Sequence, residues 1–392
     1  MPSTQFRSDD TTPWWLKYGD GSDGAYSSAG NATDAPVDSS CSGTASSTSL
    51  SATNVSFANG KPILIHQSRG TGAGSWELNQ IASYTAGTII TVSPLKNTYT
   101  DSGASQAQVI QLKQYSSFTQ GSGHTLTAKA WDGNVGGIIA FLCNGTVSGS
   151  GTISLTGGAG GTGTGASPGA RGTGGGFRGG SGTTAGETGE GTTGTFVSGQ
   201  TSANGNGGGT GDNAAPGGGG GNGAAGSNGA GGGTAGTGGN QVGTASLVTA
   251  QLGGGGGGGE TTTSSWTSGS GGSGGGFLLM IGRSIDVSSM MVNLNGGAGG
   301  APNSGDGQCS GGGGAGGSCL LKAQTATLGT NKITASGGLG GDNAFRDGGN
   351  GGVGRIHLDY LTSYTGTTTP TIDVTQDYSL SDRKSSMLMN LL

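Results

Sequence analysis

Short runs of alternating apolar and polar residues, set apart by glycine, give this chain its pattern. Three of them share one register: Thr152-Ile-Ser-Leu-Thr-Gly-Gly-Ala-Gly-Gly161, Met291-Val-Asn-Leu-Asn-Gly-Gly-Ala-Gly-Gly300 and Lys332-Ile-Thr-Ala-Ser-Gly-Gly-Leu-Gly-Gly341. A period of two predicts strands, and a recurring strand-Gly-Gly-x-Gly-Gly unit predicts an internal repeat. A more apolar strand precedes each copy: Ile138–Cys143, Phe277–Ile281 and Cys319–Ala323, with Arg355–Tyr360 closing the series. The unit is therefore strand, turn, strand, glycine excursion.

Upstream, 62–66, 76–81, 88–92, 107–112 and 126–131 are strand-like segments rich in β-branched and aromatic residues, as is Val55-Ser-Phe57. Turn residues separate them at roughly the 8–12-residue spacing of a sandwich or barrel. An antiparallel β-sandwich-like domain over 38–143 is expected, with Trp76, Leu78, Ile81, Ile63, Ile65, Val109 and Leu112 in its core. His66 lies among apolar neighbours with no second ligand at metal spacing, so it is expected to be a satisfied structural histidine.

Composition changes the picture most in the excursions 162–276, 301–318 and 342–354. The 392 residues include 95 glycines and only 9% charged residues, against about 7% and 25% in ordinary globular chains. A glycine stretch as long as 162–276 has the highest backbone entropy to lose. It is either disordered or folded back into extended, three-per-turn segments whose backbones pack side by side and exchange hydrogen bonds. Collagen is excluded, because glycine does not hold every third place. The fold class expected is mainly β: a sandwich-like domain followed by a repeat-based β/polyglycine II module. The domains are then 1–37, an N-terminal arm; 38–143; 144–360, the repeat domain; and 361–392, a further strand near Thr371–Val374 and a short helix. That helix would be capped by Ser381 and would show Met387, Leu388, Leu391 and Leu392 on one face.

Candidate chemistry is sparse. The net charge is −5 without a Lys/Arg cluster, which argues against nucleic acid. No run approaches the roughly 18 apolar residues of a spanning helix, so membrane insertion is not expected. The residues from Met1 onward lack the basic and apolar regions of a secretory signal. A glycosidase would need two facing carboxylates, whereas Glu187, Glu190, Asp212 and Glu260 sit among glycines. Gly-x-Ser-x-Gly at 271–275 lies between no strand and helix. No enzyme, cofactor or metal is therefore expected. Cys309 and Cys319 either close their loop as a disulfide or stay buried thiols.

Binding residues are expected where large side chains interrupt glycine. Phe177, Arg178, Phe345 and Arg346 would project at loop tips and suit stacking on sugars or anchoring in a receptor. The arm's Trp14, Trp15, Leu16 and Tyr18 either pack on their own domain or insert into a neighbouring subunit.

Tracts such as Gly217–Gly221 and Gly253–Gly259 resemble the polyglycine-helix sandwich of host-recognition adhesins at the tips of long tail fibres in T-even-like phages. Residues 60–66 and 75–81 look like the β-domain that precedes glycine modules in phage and bacterial surface proteins. The resemblance implies a non-enzymatic virion or extracellular protein whose glycine-rich loops meet a host cell-surface receptor, either a glycan or an outer-membrane protein. A self-assembling subunit of a bacterial filament or surface layer, joined to identical copies, is the other reading. In both the chain is part of an oligomeric assembly.

Overall fold

The computed structural model describes residues 17–54, 56–164, 174–263, 266–302 and 308–381. The chain is mainly β. It opens with β1 (Ala25–Ser27) and β2 (Ala32–Asp34), then enters β3 (Asp38–Ser42), β4 (Ser49–Ala52), β5 (Pro62–Arg69), β6 (Trp76–Thr85), β7 (Thr88–Thr91) and β8 (Gln106–Gln111). These last six close an antiparallel barrel in the order β3-β4-β7-β6-β5-β8. The sandwich-like expectation is corrected here. β3 pairs with both β4 and β8, so no edge is left open, and a period of two reads alike in a sandwich and a barrel. Ile63, Ile65, Ile81 and Val109 fill its interior, while Leu64 and Leu112 face outward into a second core.

After the barrel come β9 (Lys113–Tyr115), β10 (Ser117–Gln120), β11 (Thr125–Ala128), β12 (Ile138–Gly149), β13 (Thr152–Ser154), β14 (Thr162–Thr164), β15 (Thr267–Gly269), β16 (Phe277–Asp286), β17 (Met291–Asn293), β18 (Ser318–Thr334), β19 (Arg355–Thr369) and β20 (Asp373–Gln376). All but the β14–β15 pair join one curled parallel sheet of twelve strands that also takes in β1 and β2. The expected boundaries therefore shift. The arm contributes two strands, residues 113–128 leave the barrel for the sheet, and β19 runs through position 360.

One limb of the sheet runs β1-β10-β12-β16 and the other β2-β11-β13-β17. β18 turns the corner, pairing with β16 near its start and with β17 near its end. The matching positions of the sequence units pair directly: Ile153 with Val292, and Val292 with Ile333. Alternation then sorts the side chains. Ile139, Phe141, Leu278, Met280, Leu321 and Leu358 point between the limbs, and Ile138, Leu142, Leu279, Ile281 and Leu320 point to the barrel side. With both faces covered, these strands read as continuous apolar runs, as buried parallel strands do.

Between the strands the glycine tract packs backbone on backbone. Along Gly253–Gly259 the amides address three neighbours in rotation. Gly253, Gly256 and Gly259 donate to 275, 272 and 269; Gly254 and Gly257 to 221 and 218; Gly255 and Gly258 to 190 and 187, all at 2.8–3.1 Å. The carbonyls accept in the same rotation from 177 and 180, from 315 and 312, and from 208 and 211. Buried backbone groups must be paired, and here six neighbouring segments do it. Glycine is needed for closeness, since a Cβ on Gly256 would collide with the Gly312 carbonyl and one on Gly257 with that of Gly209.

Candidate functional site

The last glycine excursion is a hairpin. Gly354, Gly351 and Gly348 donate to the carbonyls of Ala335, Gly338 and Gly341 at 2.7, 2.9 and 2.9 Å, so two limbs run antiparallel with a contact at every third residue. Asn343 tightens the turn between them. Its amide donates to Asp347 Oδ1 (2.9 Å), its carbonyl accepts from the Arg346 amide (3.0 Å), and its Nδ2 donates to the Gln308 carbonyl (2.7 Å). Ser310, from the same segment as Gln308, donates to the Arg346 carbonyl, and Ala230 from a second segment donates to that of Asp347. The turn is anchored by two neighbouring segments.

Two large apolar side chains stand out from this anchored hairpin. Phe345 is 64% exposed and Leu339 71%. Leu339 is the middle residue of the third Gly-Gly-x-Gly-Gly unit, whose counterparts Ala159 and Ala298 are also exposed. Their segments lie side by side, with Gly160 donating to the Ala298 carbonyl (2.9 Å) and Gly299 to that of Leu339 (2.8 Å). Only the third copy puts a large side chain in this row.

The other expected loop-tip residues are corrected. Phe177 is fully buried and meets Trp131 edge to face at 5.9 Å; the aromatic fills a gap in its own fold. Arg178 turns inward, with Nε 3.0 Å from Glu190 Oε2 and its guanidinium 5.0 Å from the Phe196 ring centre. Arg346 is half-buried and bonded to the Cys309 thiol, which burial pushes up to about 11 against the pull of the Arg346 charge. It braces the turn, leaving Phe345 as the group displayed. Cys309 and Cys319 are both free and buried, so the loop disulfide is not formed.

Of the arm cluster, Trp14, Trp15 and Leu16 lie outside the described residues. Tyr18 is buried, and its hydroxyl donates to the Leu380 carbonyl at 2.6 Å. It clamps the chain's own C-terminal 3-10 turn, Tyr378–Leu380, and is not displayed to a neighbour. Ser381 follows that turn, its amide on the Tyr378 carbonyl; Met387, Leu388, Leu391 and Leu392 lie outside the described residues.

Glu190 was not singled out as a structural centre in the sequence. It is wholly buried, receives the Arg69 guanidinium from the barrel, Arg178 from the tract and Trp131 Nε1 at 3.0 Å. Arg69 and Trp131 are far away in sequence, so no local signal marks it as the meeting point of barrel and tract. His66 is a structural histidine, with Nε2 donating to the Ala250 carbonyl and Nδ1 accepting from Ser68 Oγ, both at 2.9 Å. Burial holds it down at about 4.

No protein-family model matches the chain, and no curated protein matches it.

Proposed function

We propose that this chain is a non-enzymatic receptor-binding component of a virion, a tail-fibre or adhesin protein whose glycine module holds a host-contacting hairpin. The tract is read as a polyglycine II array built on the repeated strand-Gly-Gly-x-Gly-Gly units. The three-step rotation of amide partners along Gly253–Gly259 supports this, because three residues per turn is the period of that helix. The absence of left-handed φ values at those seven glycines fits it too.

The observation that carries the functional reading is the exposure of Phe345 and Leu339 on a hairpin whose turn is tied to two neighbouring segments. Large apolar groups held rigid lose little entropy on docking, which is how a few residues come to dominate an interface. The partner would be a glycan or protein on the host surface. Labelled full-length protein should bind host cells, and Phe345→Ala with Leu339→Ala should weaken binding at least about tenfold with thermal stability unchanged. Equal binding by the double variant would overturn this assignment.

One observation favours the filament reading. β1 and β2 are each paired on one side only, and so is β20 at the far end of the stack, so copies could add head to tail. Electron microscopy of the purified protein separates the two: discrete particles support the adhesin, and spontaneous long filaments support self-assembly.

A further inference from the structure

Parallel register sets an unusual group on the barrel-facing side of β18 and β19. Lys322 lies directly opposite Asp359, Leu320 opposite His357, and His357 opposite Asp373 of β20. Lys322 Nζ is 3.3 Å from Asp359 Oδ2, with the lysine side chain 8% exposed and the carboxylate 0%. His357, also fully buried, puts Nε2 at 3.0 Å from Asp359 Oδ1 and Nδ1 at 2.8 Å from Asp373 Oδ2. Carboxylates only accept, so both contacts are hydrogen bonds when the ring carries two N–H protons. Asp359 thus has an amine against one oxygen and a fixed donor against the other.

We propose that Lys322 and Asp359 condense into an intramolecular amide bond that staples β18 to β19. The condensation starts with a proton passing from Nζ to Oδ2 across the 3.3 Å contact, which leaves a neutral amine beside a carboxylic acid. The Nζ lone pair attacks Cγ. The C–N bond forms and negative charge gathers on Oδ1, where the His357 Nε2–H stabilises it as an oxyanion-hole donor does. A second Nζ proton moves to Oδ2, the Cγ–Oδ2 bond breaks and water leaves. Ammonium plus carboxylate becomes amide plus one water, with no other reactant. Holding the two groups in adjacent register supplies the proximity that makes such a condensation accessible.

The other lysine ion pairs among the described residues lack one part of this arrangement. Lys61–Asp23 and Lys113–Asp23 are open to water, and Lys129 is 36% exposed beside Asp38. Arg69–Glu190 is buried, but a guanidinium does not deprotonate to become a nucleophile. Lys322–Asp359 combines burial, an amine and a donor on the opposite carboxylate oxygen.

Intact-mass spectrometry of the denatured full-length protein tests this. The expected mass is below the sequence mass by one water, and digestion should yield a branched peptide joining the segments around Lys322 and Asp359. Lys322→Arg keeps the charge and should restore the sequence mass. His357→Leu should slow bond formation by about 10²-fold, followed as mass against time after refolding. Wild-type protein at its full sequence mass after prolonged incubation would overturn the proposal. So would a water lost equally in Lys322→Arg, which would mark dehydration elsewhere, such as at an Asp-Gly step.

Discussion

Inside the barrel Ile63, Ile65, Ile81 and Val109 occupy the space between strands. Around Gly253–Gly259 that space does not exist, because each backbone lies against its neighbours' carbonyls. A side-chain core is graded: methyl groups can be removed one at a time and neighbours relax in part. A backbone core has no such grading. Its smallest possible addition, one methyl, already exceeds the room available, and a displaced segment leaves amides unpaired on several neighbours at once. The array therefore gains uniqueness from hydrogen-bond addresses, where the barrel gains it from shape.

The largest effect that would test this contrast is Gly256→Ala, expected to destabilise by more than about 4 kcal/mol and to open 174–260 to proteolysis while the barrel survives. Mild loss would show that the array yields as a side-chain core does. Ile65→Ala is expected to cost about 3 kcal/mol and Ile65→Val about 1 kcal/mol, a graded pair readable by urea denaturation. Glu190→Gln leaves Arg69 buried, and Arg178 part-buried, beside a neutral amide and should cost about 3 kcal/mol; it tests whether the two regions are fastened by charge.

Acid gives a smaller, signed test at the same junction. Folded His66 stays neutral down to about 4 while the unfolded ring titrates at 6.5, so its contribution is complete above pH 6.5 and is lost as pH falls through 4. The loss is at most about 3 kcal/mol. Asp34 runs the other way: burial first, then the Asp38 charge, raise it from 3.8 to about 6. Its contribution is complete below pH 3.8 and lost as pH rises through about 6. His66→Gln should flatten the acid limb of the stability profile, and Asp34→Asn the limb approaching neutrality. The smallest effect belongs to Leu339→Ala, within about 0.5 kcal/mol of wild type by thermal melting, because its side chain is largely exposed.

Much of the β framework was legible. The apolar runs at 138–143, 277–281, 319–323 and 355–360 lie in strands that extend beyond them, because glycine on their N-terminal side marks where each begins. Their partners were not legible, since pairing is set by register between residues far apart in sequence. β1 and β2 carry no apolar pattern at all: Ala-Tyr-Ser and Ala-Thr-Asp. The site divides in the same way. Phe177-Arg178 and Phe345-Arg346 have similar glycine-rich neighbourhoods, yet one aromatic is buried and the other displayed, because Trp131, far away in sequence, happens to meet only the first.

The rotation of amide partners along Gly253–Gly259 also acts on the gene. Adding one residue to this stretch would turn every later amide toward the wrong neighbour, and adding two would do the same. Adding three leaves each address intact. The array thus has a reading frame of its own, written in residues, and its segments can lengthen or shorten only in blocks of three codons.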